Sequence, residues 1–227
     1  MVKKHIRTFL LTILFLIGAG IFLYPTVSDL WNKRLQAEVM SSYLNEIGQI
    51  TDYSLEWEKA RDYNNRLHTV TDLDEIEALK AEDGEYAGLL NVSGNGVMGI
   101  INIPKINVEL PIYHGTSEDV LKVGAGHVIG SSLPTGDVGS HAVISGHRGL
   151  PSAKLFTDLD QIKEGDTFTL SILDKEFTYT VDSITVVEPH EVDSLQPVEG
   201  KDYVTLVTCT PYGINSHRLL IRGERSN

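Results

Sequence analysis

Cysteine is almost absent: one in 227 residues, Cys209. A single thiol excludes an internal disulfide framework and any zinc or iron–sulfur site built from several cysteines. Basic residues are also scarce, 19 against 31 acidic ones for a formal net charge of -12, and Lys3, Lys4 and Arg7 at the N-terminus account for three of them. The remainder is more acidic still, with no general attraction for nucleic acid or anionic lipid. The Gly-rich GNGVMG lacks a following Lys and the spacing of a phosphate loop, no Gly-x-Ser-x-Gly elbow occurs, and no internal repeat or low-complexity tract is found. Asp72, Asp74, Glu75 and Glu77 cluster without the alternating oxygen ligands and central Gly of a Ca²⁺ loop, and read as a solvated helix face. No metal and no cofactor is expected.

At 41% hydrophobic and 22% charged residues the body is that of a folded protein, and the length suits one domain with attachments. Residues Ile6 to Tyr24 carry one charge, Arg7, and an apolar run from Phe9 to Tyr24. Nineteen residues at 1.5 Å each span about 28 Å, enough to cross a thin hydrocarbon layer. Lys3, Lys4 and Arg7 before the run and Asp29 after it keep the N-terminus cytoplasmic and export the chain beyond Tyr24. A cleaved signal peptide competes, with Gly18-Ala19-Gly20 as its processing site, but the run is long and lacks a small-x-small site at its distal end, which favours a retained anchor. In an exported chain a lone thiol suggests either chemistry or a buried, inert Cys.

These patterns divide the chain into a cytoplasmic tip and anchor (1–27), N-terminal helices (28–67), a lid-like connection (68–96) and a strand-rich body (97–227). Ser28 is the expected N-cap of the first helix, whose stripe is Trp31, Leu35, Val39, Tyr43 and Ile47; Tyr53, Trp57, Ala60, Tyr63 and Leu67 mark a second. Both stripes are expected to pack within the chain, a dimer stalk being the alternative. From Val97 the period changes to seven or more short runs rich in Val, Ile, Thr and Tyr, with helical inserts only near Asp119–Val123 and Ala153–Leu159. That predicts a closed barrel or a sandwich, with a hairpin turning at Asp174-Lys175.

Cys209 ends the run YVTLVTC, and a strand end is a common place to present a reactive side chain. An ordinary thiol is only a few per cent thiolate at neutral pH, so it needs a partner. His147, in the corner Gly146-His147-Arg148-Gly149, is a candidate base, with His141, His127 and His217 behind it; Arg218 is a candidate donor of two directed hydrogen bonds. A structural histidine and a surface ion pair are the alternatives.

The segments TLVTCTPYGINSHRLLIRGER, HAVISGHRGLPSAKLFTDLD and IPKINVELPIYHGTS resemble the sortase family of Gram-positive bacteria, specifically its class C, pilin-polymerising branch. The resemblance implies a mostly β fold, an eight-stranded sortase β-barrel with N-terminal helices, and the roles of nucleophile for Cys209, catalytic histidine for His147 and arginine for Arg218. It further implies cleavage of a Leu-Pro-x-Thr-Gly-like signal between Thr and Gly and transfer of the acyl group to a Lys amine of a pilin subunit, by an enzyme of the cell membrane whose catalytic domain is extracellular. The alternative within the family is attachment of surface proteins to peptidoglycan cross-bridge amines. Class C relatives carry an Asp-Pro-aromatic lid motif that this chain lacks; Asp83 and Tyr86 are the nearest substitutes, expected to hold the lid weakly. Many relatives have a second, C-terminal membrane helix; here anchoring through the N-terminus alone, or a shortened chain, is expected.

Overall fold

The computed structural model describes residues 2–69 and 83–226. The acidic cluster Asp72, Asp74, Glu75 and Glu77 and the carboxyl of Asp83 lie outside what is described. Helix α1, Val2–Ile47, runs without interruption through Pro25. Proline removes one ladder bond, to the Ile21 carbonyl, but the helix continues because its second half is held by the barrel. Ser28, expected as an N-cap, lies inside the helix instead, its hydroxyl donating to the Tyr24 carbonyl at 2.7 Å.

The docked face of α1 keeps the C-terminal part of the expected stripe, Val39, Tyr43 and Ile47, and departs from it towards the N-terminus. Gln36, Met40 and Tyr43 are buried, whereas Trp31 is 64% and Leu35 43% exposed. Polar contacts choose the face: Gln36 Nε2 donates to Val123 O at 2.9 Å, and the Tyr43 hydroxyl donates to Met98 O at 3.1 Å while accepting from Leu173 N at 2.8 Å. Helix α2, Ser54–Thr69, follows its pattern, with Tyr53, Trp57, Ala60 and Tyr63 all buried. Trp57 Nε1 donates to Asp174 at 2.8 Å, and its ring meets Phe177 edge-on. A short helix α3, Asp83–Gly88, leads towards the barrel.

Eight strands close the barrel: β1 Val97–Ile103, β2 Val108–His114, β3 Ala125–His127, β4 Ser140–Ser145, β5 Thr167–Ile172, β6 Lys175–Val187, β7 Asp202–Thr210 and β8 His217–Arg225. Their order is β1-β2-β3-β4-β7-β8-β6-β5, antiparallel except at β2/β3 and β4/β7. Closure removes free strand edges, and Ile101, Ile112, Ile144, Leu170, Val204, Leu206 and Ile221 fill the interior. Seven strands coincide with the runs read from sequence. The three-residue β3, flanked by Gly124 and Val128, is too short to show a period.

Helix α4, Glu118–Val123, is capped by Ser117 and matches its expected place. The helical insert expected at Ala153–Leu159 does not form; there is only a 3₁₀ turn at Leu159–Gln161. Its backbone groups are engaged elsewhere: Ser152 O accepts from Asn32 and Phe156 N donates to His147 O, so the pair that would close a helical turn is separated. The β5–β6 turn is Leu173-Asp174 rather than Asp174-Lys175, since Ile172 pairs with Lys175. Leu173 takes the left-handed conformation, φ 49°, because its amide is bound by Tyr43 and its side chain is buried.

Candidate active site

Strands β7 and β8 bring two of the three candidate residues together. Cys209 and Arg218 are direct cross-strand partners in the antiparallel register. Such partners share a face of the sheet, with Cβ atoms about 5 Å apart. The face is set by alternation: Val204, Leu206 and Thr208 belong to the buried side with Ile221 and Leu219, leaving Thr205, Val207 and Cys209 on the other with Arg222, Leu220 and Arg218. Cys209 is half-buried and makes no disulfide.

The third residue arrives on β4, which pairs parallel with β7 from Ser140↔Asp202 to Ser145↔Val207. Pairing persists one step beyond the strand: Gly146 N donates to Val207 O at 3.0 Å, and the buried Thr208 hydroxyl donates to Gly146 O at 2.8 Å. These bonds carry the chain alongside β7 as far as Gly146, so that His147 follows one residue beyond the last backbone bond to that strand. Gly146 is required at this approach because a Cβ would lie 2.5 Å from the Phe156 ring. Phe156 N closes the corner on His147 O at 3.1 Å.

His147 is half-buried, and that burial lowers its pKa below the ordinary 6.5; Glu118 raises it and Lys122 lowers it, both from α4. The neutral imidazole is therefore the form favoured near neutral pH. Arg218 Nη1 donates to the carbonyls of Asn215 at 3.3 Å and His217 at 3.1 Å, which orients its planar fork from the β7–β8 loop.

The other histidines are fixed structurally. His141 is buried between Gln196 O at 3.0 Å and Thr205 Oγ1 at 2.7 Å, and His217 pairs with its neighbour Ser216. His127 is fully buried against Ser132 O, and desolvation depresses its pKa to about 4. Its Nδ1 lies 2.8 Å from the hydroxyl of Tyr86, which also accepts from Gly115 N at 3.1 Å. Tyr86 is thus a buried part of the packing between α2, β2 and β3, which corrects the expectation of a weakly held ring.

Sequence reasoning missed the supports. Thr208 reads as an ordinary strand residue, yet it ties β7 to the His147 corner. Arg148 is nearly buried, bonds Thr210 Oγ1 at 3.3 Å, pairs with Asp160 and stacks over Tyr212. Only its place beside His147 could have signalled it.

A sortase-domain model matches residues 101–226. The sortase C1 structure from Streptococcus agalactiae is 45% identical with a TM-score of 0.75, over 84% of this chain and 98% of that one. Streptococcus pneumoniae sortase C is 43% identical with a TM-score of 0.74, covering 84% and 97%. Clostridium perfringens sortase C, solved with the C-terminal cell wall sorting motif, is 42% identical with a TM-score of 0.69, covering 84% and 99%. Sortase D of Bacillus subtilis (strain 168) is 35% identical over 130 residues, 56% of this chain, which spans 63% of that protein. The chain belongs to the sortase family of cysteine transpeptidases, and in structure it is close to the sortases C.

Proposed function

We propose that Cys209, His147 and Arg218 carry out a transpeptidation at a Leu-Pro-x-Thr-Gly-like sorting signal. The observation that carries this reading is the cross-strand pair Cys209–Arg218 beside a corner that two hydrogen bonds hold to β7. Neutral His147 takes the thiol proton as Sγ attacks the Thr carbonyl carbon. The C–N bond to Gly then breaks, His147 returns the proton to the leaving amine, and a thioester remains. An incoming amine attacks the thioester, its proton passes through His147 to the departing thiolate, and an amide forms. Arg218 donates to the oxyanion of both tetrahedral intermediates, where its two-donor geometry matters more than its charge.

The acceptor is a Lys side chain of another pilin subunit, so the product is an isopeptide-linked pilus polymer. Likeness to the sortases C supports this, including the S. pneumoniae enzyme, whose structure was described in terms of pilin substrate specificity. The apolar first part of α1, with a mean hydropathy of 2.2 over an eighteen-residue stretch and none of it buried, supports a single-pass anchor with the barrel outside the cell membrane.

The test is product analysis with the full chain. A Thr–Lys isopeptide between candidate pilins identifies donor and acceptor together, whereas a product joined to a peptidoglycan amine overturns the pilin assignment. Cys209→Ala is expected to abolish thioester capture with unchanged circular dichroism. Arg218→Lys is expected to slow single-turnover acylation by more than tenfold, and a normal rate would remove directed hydrogen bonding from the mechanism.

A further inference from the structure

Because α1 is one helix, its contacts with the barrel fix the height of the barrel above whatever the first half of the helix is embedded in. Ser28 Oγ reaches Pro151 O at 3.3 Å, Asn32 Nδ2 donates to Ser152 O at 2.7 Å, and Asp29 Oδ1 accepts from Lys154 N at 2.9 Å. These three residues lie within two turns just past Tyr24, about 6 to 12 Å along the axis at 1.5 Å per residue. Their partners, Pro151 to Lys154, belong to the corner that begins at His147. By the same measure Tyr43, which holds the β5–β6 turn at Leu173, stands about 28 Å from Tyr24, and Ile47, bonded by Tyr53 at the start of α2, about 35 Å. A helix tilt of about 20° shortens these heights by less than a tenth.

Large apolar side chains stand exposed at this end, among the polar and charged Lys33, Lys154, Asn215 and Ser216. In the β7–β8 loop, Tyr212 is 60% and Ile214 72% exposed, and on α1 Val27, Leu30 and Trp31 are exposed immediately beyond the apolar run. The loop is locked to the corner: Arg148 lies over the Tyr212 ring, and that ring stands 3.0 Å from where a Cβ on Gly149 would be. Although the protein is acidic overall, Asp29, Asp158 and Asp160 at this end are paired with Lys33, Lys154 and Arg148.

We propose that the rim made by Val27–Trp31, the 147–154 corner and the β7–β8 loop rests on the bilayer surface, so that Cys209 opens at headgroup height. The occupant of the rim is lipid, because Val27, Leu30 and Trp31 stand exposed within two helical turns of the end of the apolar run of α1. The consequence is selection by depth: a peptide whose scissile bond lies within about 10 to 15 Å of the membrane, in the frame of the helix rise, reaches the thiol. A segment held farther out does not. The proposal rests on the reading of α1 as a membrane anchor.

The test uses the full chain in phosphatidylcholine vesicles, with Cys209→Ala as background and an environment-sensitive fluorophore on one new cysteine at a time. Phe15→Cys reports the span, Ile214→Cys the rim and Leu55→Cys, 61% exposed at the far end, is an apolar control. Nitroxide lipids labelled at the headgroup are expected to quench Ile214→Cys several-fold more than Leu55→Cys, while lipids labelled deep in the acyl chain quench Phe15→Cys. If Phe15→Cys is quenched and Ile214→Cys behaves like Leu55→Cys, the rim proposal falls and the anchor stands. If Phe15→Cys is not quenched, both fall. Trp31 needs no label, since the chain's other tryptophan, Trp57, is buried. Trp31 unquenched by lipids brominated near the headgroup also overturns the rim.

Discussion

His147 is tuned by two residues of opposite charge on α4, and this gives the acid limb of the reaction a direction that can be moved. The neutral ring is needed to accept the thiol proton, and burial lowers its pKa below 6.5. Acylation is therefore expected to fall off only below that value. Removing the cation with Lys122→Ala should shift the acid limb to higher pH, and removing the anion with Glu118→Gln should shift it lower. Single-turnover rates from pH 4 to 8 check this; an unmoved limb in both variants would take His147 out of the proton path. Thr208 makes a different residue-scale case. Thr208→Val keeps the shape but leaves the Gly146 carbonyl without its 2.8 Å donor, and a buried lost bond of this kind costs about 1 to 3 kcal/mol. Urea unfolding should show that loss, and acylation should slow further than the folded fraction explains, because the bond also holds the His147 corner.

At the scale of elements, α1 is both a candidate anchor and the clamp on that corner. Asp29 and Asn32 each hold the backbone of 152–154, where no helix forms to hold it by itself. Asn32→Ala is expected to lower the acylation rate several-fold while moving the thermal midpoint by no more than a few degrees. Arg34→Ala, whose contact is an exposed pair with Glu38, should do neither. Equal rates for Asn32→Ala and Arg34→Ala would reduce the clamp to a packing detail. Helix α2 is simpler, because its buried aromatics are spaced at the helical period and its polar ties to Asp174, Asp137 and Leu133 only fix the register.

For the whole molecule, two buried groups give opposing pH dependences. His127 has a folded pKa of about 4 against 6.5 unfolded, so the unfolded chain binds a proton that the folded one refuses. Its contribution is fully present above 6.5 and is lost as pH falls towards 4, to a total of about 3 kcal/mol. Asp202 is displaced the other way: burial raises it to about 6, against the hydrogen bonds from Ser140 and Tyr179 and the charge of Arg225. Its contribution is present below 3.8 and is lost as pH rises through 6. Between about 4 and 6 the two slopes largely cancel. Asp202→Asn should therefore make stability climb more steeply with pH in that window, by up to one proton in the slope. Denaturant titrations at pH 4, 5 and 6 measure it; parallel curves for parent and variant would contradict the assignment of Asp202.

Local pattern determined much of this protein: seven of the eight strands, the apolar N-terminal run, the stripe of α2, and the order in which Cys209, His147 and Arg218 follow the family motif. These were legible because period, turn residues and motif spacing are properties of neighbouring residues. Tertiary structure decided what depends on distant partners. The docked face of α1 runs through Gln36 and Asn32 because carbonyls of the barrel, unseen in any local window, accept from them. The turn at Leu173 moved by one residue because Tyr43, 130 positions away, binds its amide. Tyr86 became a buried post rather than a loose ring because His127 and Gly115 bind its hydroxyl. The direct opposition of Cys209 and Arg218 needed the β7–β8 register, since a one-residue slip would put either side chain on the other face of the barrel.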